Sequence, residues 1–317
     1  MNQFISALGP DMDRFLQLKD SLGYSRCSYE YHLTNIDGYA ASCFPQLTVM
    51  DKALVFGWCK VREGESKNYR RIRQYVIREF GKFQQGMGRD AYVLPTDLIE
   101  RQQTFVPYLF TDDELQRLFQ SVDSSSASKY SPNKPYVLPV LFRMMYCCAL
   151  RPGEPLKLLT EDVNLEAGTI FIRESKRHKD RIVWMSEDLT RLCIHYDTYA
   201  GARTYFFTSP KGEPYTRMWM EEQFRRCCRK SNLHTGFQKP RPYDLRHTSC
   251  SRVILKWMEE GKDFNTLSPF LREHMGHSDF ESTFYYIHLL PEHIVTNAGI
   301  NCSRVNFLYP EVPDEET

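Results

Sequence analysis

Apolar positions along the first hundred residues recur at helical spacing. Phe15, Leu16, Leu18 and Leu22 mark a helix from Met12 to Leu22. Further helices are predicted over Ser28 to Phe44, Val49 to Val61 and Ser66 to Gly86, with Gly23, Pro45 and Gly64 as breaks. Neither strand alternation nor an internal repeat interrupts this run, which reads as a helical bundle. After Leu94-Pro95 and a polar stretch comes Thr111-Asp112-Asp113-Glu114, a capping box. In it the Thr111 hydroxyl accepts from the Glu114 backbone and the Glu114 carboxylate reaches back. The domain boundary is placed near residue 103, giving domains 1–103 and 104–317.

The second domain mixes periods. Val137 to Leu150 is an apolar helix, and Ser124 to Ser128 is a loop. Thr169 to Arg173 and Arg181 to Trp184 read as strands joined by the polar turn Glu174 to Asp180, and Tyr205-Phe206-Phe207 as a further short strand. Helices follow over Glu187–Tyr199, Arg217–Lys230, Asp244–Glu259, Thr266–Glu273 and Ser282–Leu289. The fold class is mainly α with a small β-hairpin or sheet: a helical domain followed by an α+β domain.

Composition narrows the class. Hydrophobic residues make up 42% and charged residues 26% of 317, enough for a real core. No apolar run nears the ~18–20 residues of a membrane span, and the start, Met1-Asn2-Gln3-Phe4-Ile5, has no secretion signal. Ten cysteines without a C-x-x-C read as reduced, mostly buried thiols rather than a zinc site. A cytoplasmic protein is expected.

The net charge, +1, argues against a polyanion partner only until the charges are located. Ser66 to Arg89 carries Lys67, Arg70, Arg71, Arg73, Arg78, Lys82 and Arg89 against Glu79, a net of +6. Tyr69 and Tyr75 are interleaved. Seven cations with a single acid lack the i,i+4 partners of a merely solvated helix, which points to a phosphate-facing surface. Arg225 to Arg252 holds eight cations against Asp244, a net of +7.

Three clusters of the second domain carry chemistry. Arg151 follows an apolar helix in Ala149-Leu150-Arg151-Pro152-Gly153-Glu154, so it needs Glu154 or an anionic ligand. Pro242-Tyr243-Asp244-Leu245-Arg246-His247-Thr248 sets Arg246 and His247 in a first helical turn, where backbone N–H groups favour an anion. His274-Met275-Gly276-His277-Ser278 is followed by Thr283 to His288.

In this order and spacing the clusters resemble the tyrosine recombinases, or phage integrases. That family's pattern is an Arg after G-L, a Lys in a β-hairpin, H-x-x-R-H, then L-G-H and a Tyr nine residues beyond that His. Matching positions are Arg151 with Glu154, Lys176, Tyr243 to Thr248, Met275-Gly276-His277 and Tyr286, with His288 completing a Y-x-H ending. By motif the likeness covers about residues 108 to 290.

The resemblance implies a SAM-like helical core-binding domain followed by an α+β catalytic domain, the two forming a clamp on DNA. It also implies site-specific strand exchange through a 3′-phosphotyrosyl intermediate, for integration, excision or transposition of a mobile element. Arg151, Arg246 and His277 would hold the phosphate, Tyr286 would be the nucleophile and Lys176 the general acid, with Glu154 in support. Lys179 is the fallback acid or a phosphate contact. Arg241 and His247 would touch DNA with Lys67, Arg70, Arg71, Arg73, Arg78 and Lys82.

Transesterification conserves bond energy, so no cofactor or metal is expected. Expected partners are double-stranded recombination sites, further copies in a DNA-bound tetramer and an accessory recombinase or directionality factor. The segment from about 290 would dock on a neighbouring protomer. Tyr243 departs from the family, which has His there. Phenol is a poor base near neutral pH, so the proton of Tyr286 would pass to water or His247, or activity is lowered. Tyr285 competes with Tyr286 by adjacency alone. The alternatives are a catalytically weakened DNA-binding protein of the same fold and a type IB topoisomerase-like relaxing enzyme.

Overall fold

The structure, a computed structural model, describes residues 4–24, 26–101, 106–175, 179–233, 239–277 and 285–286. It divides into two compact units, Met1–Phe105 and Val106–Thr317.

The first unit packs α1 (Gly9–Ser21), α2 (Arg26–Cys43), α3 (Lys52–Cys59) and α4 (Lys67–Gly86). Each turns one apolar stripe inward: Met12, Phe15 and Leu16 of α1, Leu33 and Ile36 of α2, Trp58 of α3, and Ile77 and Phe80 of α4 share one core. Asp51 caps α3 by accepting from the Leu54 amide at 2.7 Å, and Ser66 caps α4 through the Tyr69 amide. These four helices begin and end within a few residues of the sequence expectation.

The basic face expected of α4 is largely neutralised, mostly from elsewhere in the unit. Arg73 is fully buried: Glu65 binds its Nε at 2.7 Å and its Nη2 at 2.8 Å, and the carbonyls of Trp58 and Lys60 take further hydrogens. A guanidinium so enclosed holds loops together, and its assignment to DNA binding is corrected. Arg70 pairs with Glu100 at 2.7 Å, Arg89 with Asp11 at 2.9 Å and Lys82 with Glu79 at 3.0 Å, while Arg78 binds the Leu94 carbonyl. Except for Glu79 the partners lie outside the helix, so counting charges along α4 overstated its unmatched charge. Arg71 rests against the Tyr75 ring, and Lys67 is exposed.

In the second unit α6 (Lys134–Cys147) is the central helix, packed by α5 (Asp112–Asp123), α8 (Glu187–Ala200) and α10 (Pro242–Glu259). The Thr111 capping box forms as expected. A short α7 (Gly153–Lys157) follows α6; α9 (Arg217–Lys230) and α11 (Phe264–Met275) complete the helices among the described residues.

An antiparallel sheet runs β1 (Val163–Asn164), β2 (Thr169–Ser175), β3 (Lys179–Trp184). Ile172 pairs with Arg181 and Ile170 with Val183, so Arg181 and Val183 share the inward face while Ile182 and Trp184 face out. β1 was not foreseen, being only two residues long. Tyr205-Phe206-Phe207 is not a strand: Tyr205 forms a single bridge to Leu159, and both phenylalanines are core. Six of the nine described cysteines are buried; Cys27, Cys43 and Cys147 are exposed. Among the described residues no helix is long and apolar enough to cross a membrane. Of the expected helix Ser282–Leu289 only Tyr285 and Tyr286 are described, in a turn; its other residues and the segment from 290 lie outside the described residues.

Candidate active site

The site forms where the ends of α6 and α11 meet the first turn of α10. Cys148 closes α6, and the next residue, Ala149, takes φ +49°, a left-handed conformation that suits glycine better. That turn buries Leu150 and delivers Arg151. Gly276 closes α11 at φ +61°, and a Cβ there would sit 3.0 Å from Arg181 Nη1 and 3.3 Å from Arg151 Nη1. Glycine therefore lets two guanidiniums approach the backbone that presents His277.

Arg246 enters from α10 and is fully buried. Its Nη1 donates to the Ala149 carbonyl and its Nη2 to the Met275 carbonyl, each at 2.6 Å, and Nη2 lies 3.0 Å from His277 Nε2. Burial lowers its pKa below the usual guanidinium range, although Tyr286 and Tyr243 oppose this. Arg151 donates through Nη2 to the Gly276 carbonyl at 2.5 Å and through Nη1 to Glu154 Oε1 at 2.9 Å; its backbone N–H meets Glu154 Oε2 at 2.7 Å.

Glu154 is shared. Arg181 grips both of its oxygens at 2.8 Å while donating through Nε to the His274 carbonyl at 2.9 Å. Burial pushes the Glu154 carboxyl up, but the Arg181 bonds and charge, with Arg151, carry it below the usual range. Arg181 was missed by sequence reasoning. The signal was present: in a strand of period two, Arg181 shares the face of Val183, so a charge was turned inward and needed a partner.

Tyr286 is 2% exposed and sits in a small cluster with Ala149, Cys250, Ile254 and Met275. Its ring lies parallel to that of His277, 6.0 Å between centroids, and 5.5 Å from the His247 ring. Burial raises its phenol well above the usual value, against the pull of Arg246. One helical turn before His247 on α10, Tyr243 packs on it at 4.8 Å. Clefts of about 470 and 530 Å³ share Tyr243, Pro152 and Arg217 in their walls; the first is lined also by His247, Lys239 and Arg241, the second by Arg151 and Glu154.

Of the expected site residues, Arg151, Glu154, Tyr243, Arg246, His247, His277 and Tyr286 therefore come together. Arg241 stands at the N-cap position of α10, where its backbone N–H donates to Asp244 Oδ2 at 2.7 Å and its guanidinium pairs with the same carboxylate at 3.2 Å. Lys176, on which the general acid depends, lies outside the described residues, as does the Lys179 side chain.

Two guanidiniums, an imidazole and a buried phenol thus gather at one place on a helical domain with a three-stranded sheet. The sequence profile described as the Phage integrase family matches residues 109–293, more than half of the chain, and the chain belongs to that family. It is a tyrosine recombinase, a site-specific DNA recombinase. The Sinorhizobium fredii protein y4rB, named as an integrase/recombinase, is 24% identical over 294 residues, covering 89% of this chain and 92% of that one. The tyrosine recombinase XerD of Listeria innocua is 23% identical over 249 residues, covering 74% and 77%. Among solved structures, the XerH site-specific recombinase bound to palindromic difH substrate superposes with a TM-score of 0.65 at 17% identity, covering 87% of this chain and 79% of that one.

Proposed function

We propose that Tyr286 attacks a DNA phosphodiester held by Arg151, Arg246 and His277, leaving a 3′-phosphotyrosyl link and a free 5′-hydroxyl. The observation that carries this reading is the approach of Arg246 Nη2 to His277 Nε2 at 3.0 Å, beside the ring of Tyr286. Two planar forks and an imidazole can donate to the non-bridging oxygens, where charge grows in the transition state. Lys176 protonates the departing 5′-oxygen, and a 5′-hydroxyl from a second duplex reverses the reaction to join new strands. Because the bond energy is kept in the phosphotyrosine, the chemistry calls for no nucleotide.

Exchange between two duplexes needs four cleavages, so the active form is a tetramer on paired sites of a mobile element. Unit 1 serves as the core-binding domain, and the segment from about 290 docks on a neighbouring protomer. The test is a nicked recombination site whose short cleaved product diffuses away. Wild-type protein accumulates a covalent adduct on a denaturing gel, and Tyr286→Phe gives none. Adducts that persist in Tyr286→Phe would assign the nucleophile elsewhere.

A further inference from the structure

Tyr286 must lose a proton as it attacks, and the residue at the family's usual histidine position here is a phenol, Tyr243. The neighbouring imidazole one turn on, His247, is placed differently from an ordinary surface histidine. It is largely buried, its Nδ1 has no hydrogen-bond partner among the described residues, and aromatic rings close around it. Tyr243 lies 4.8 Å away, Tyr286 5.5 Å and Tyr285 6.4 Å, between ring centroids. The charged groups that act on it are Arg246 and Arg241. A buried nitrogen left without a partner costs free energy that a folded protein rarely accepts without a use.

Resting on the reading above, we infer that His247, not residue 243, accepts the proton of Tyr286. In this step the Tyr286 Oη–H proton passes to the imidazole as the Oη–P bond forms and the P–O5′ bond breaks. His247 becomes an imidazolium, and the 5′-oxygen takes a proton from Lys176. On reversal the imidazolium returns its proton to the phenol.

The electrostatics fit a base that works only with DNA in place. Burial first, then Arg246 and Arg241, bring His247 down to about 4, so it is neutral near pH 7 and its acceptor lone pair is available. A scissile phosphate seated on Arg246 would cancel the charge that holds the imidazole down. Substrate binding thereby raises the basicity of His247 at the moment the proton must move. Closure from ring packing to hydrogen-bond distance is the tightening expected when a substrate fills an acid–base site. Tyr243, one turn away, keeps the imidazole in its slot and is a positioning residue.

The test is single-turnover adduct formation on the nicked site with His247→Gln, in two backgrounds: native Tyr286, and Tyr286 replaced by a fluorinated tyrosine of much more acidic phenol. With native Tyr286 the substitution should slow adduct formation by about 10²-fold or more, the usual range for a general base. With the fluorinated phenol, which needs no base to ionise, the loss should shrink to less than about tenfold. Equal losses in both backgrounds would mean that His247 only packs, and would overturn the inference. So would a wild-type rate in His247→Gln, or the same rescue pattern in Tyr243→Phe. If glutamine prevents folding, His247→Asn runs through the same comparison. Persistent adducts in Tyr286→Phe would instead sink the underlying assignment of the nucleophile, a separate result on the same gel.

Discussion

Replacing Glu154 by Gln should strip two guanidiniums of a shared counter-ion without changing the volume of the side chain. Four charge-assisted hydrogen bonds are at stake: Arg151 N at 2.7 Å, Arg151 Nη1 at 2.9 Å and two from Arg181 at 2.8 Å. The side chains of Glu154 and Arg181 are 9% and 7% exposed, so water cannot take over. Removing one partner of a buried ion pair costs about 3–5 kcal/mol. For a unit of this size that lowers the melting temperature by about 6–20 °C.

The pH dependence carries a sign. The folded pKa of Glu154 lies below its unfolded value, so its contribution is complete above ordinary carboxylate pH and fades as pH falls through the folded value. Calorimetry of wild type and Glu154→Gln should show a constant gap from neutral pH to about pH 5, closing in stronger acid. A difference below about 1 kcal/mol at neutral pH, the range of surface pairs, would refute the argument. So would a gap that widens in acid. The double change Glu154→Leu with Arg181→Met should recover much of the stability but not cleavage, since Arg151 would keep only its bond to the Gly276 carbonyl and lose its carboxylate partner.

Arg73→Met should destabilise the first unit by about 3 kcal/mol through the orphaned Glu65, with the salt dependence of DNA binding unchanged in protein that remains folded; a lower salt slope would return Arg73 to the DNA surface. Gly276→Ala should cost about 1 kcal/mol from its φ of +61° and slow cleavage by displacing Arg151 and Arg181, read by thermal melts and single-turnover adduct yield. Ala149→Gly, relieving φ +49°, should leave stability the same or raise it by up to about 1 kcal/mol. Arg225, Arg226 and Arg229 converge on Glu222, at 2.5, 2.8 and 3.6 Å, the one acid paired with them among the described residues. Replacing all three by Ala should weaken DNA binding and cut the slope of log K against log salt by about one for each phosphate no longer neutralised; an unchanged slope would clear α9 of the interface.

The helices and the site motifs were legible because their signals are local. The Thr111 capping box opens α5 as its spacing predicts, and Arg151, Arg246 and His277 each sit beside a helix terminus that the sequence punctuates. What escaped depends on partners distant in the chain. Glu154 and Arg181 are 27 residues apart and Arg70 and Glu100 are 30 apart, so no local window joins them. The same blindness made Arg73 look like a surface charge: its acid, Glu65, precedes the helix and folds back over it. Phe206 and Phe207 looked like strand residues because a short apolar run reads alike in a strand and in a buried turn.

Arg246 bonds to carbonyls, an imidazole and the Tyr286 phenol, all neutral, and its Nε is unpartnered among the described residues. With no carboxylate bonded to it there, its positive charge awaits an anion. Folding and substrate occupancy are thereby linked, since any anion that binds the native site and not the unfolded chain adds stability in proportion to its saturation. Off DNA, this enzyme is in its less stable form and populates unfolded, protease-sensitive states more often. Site DNA should therefore lengthen the half-life of the protein under limited proteolysis, and an unchanged half-life would break the link.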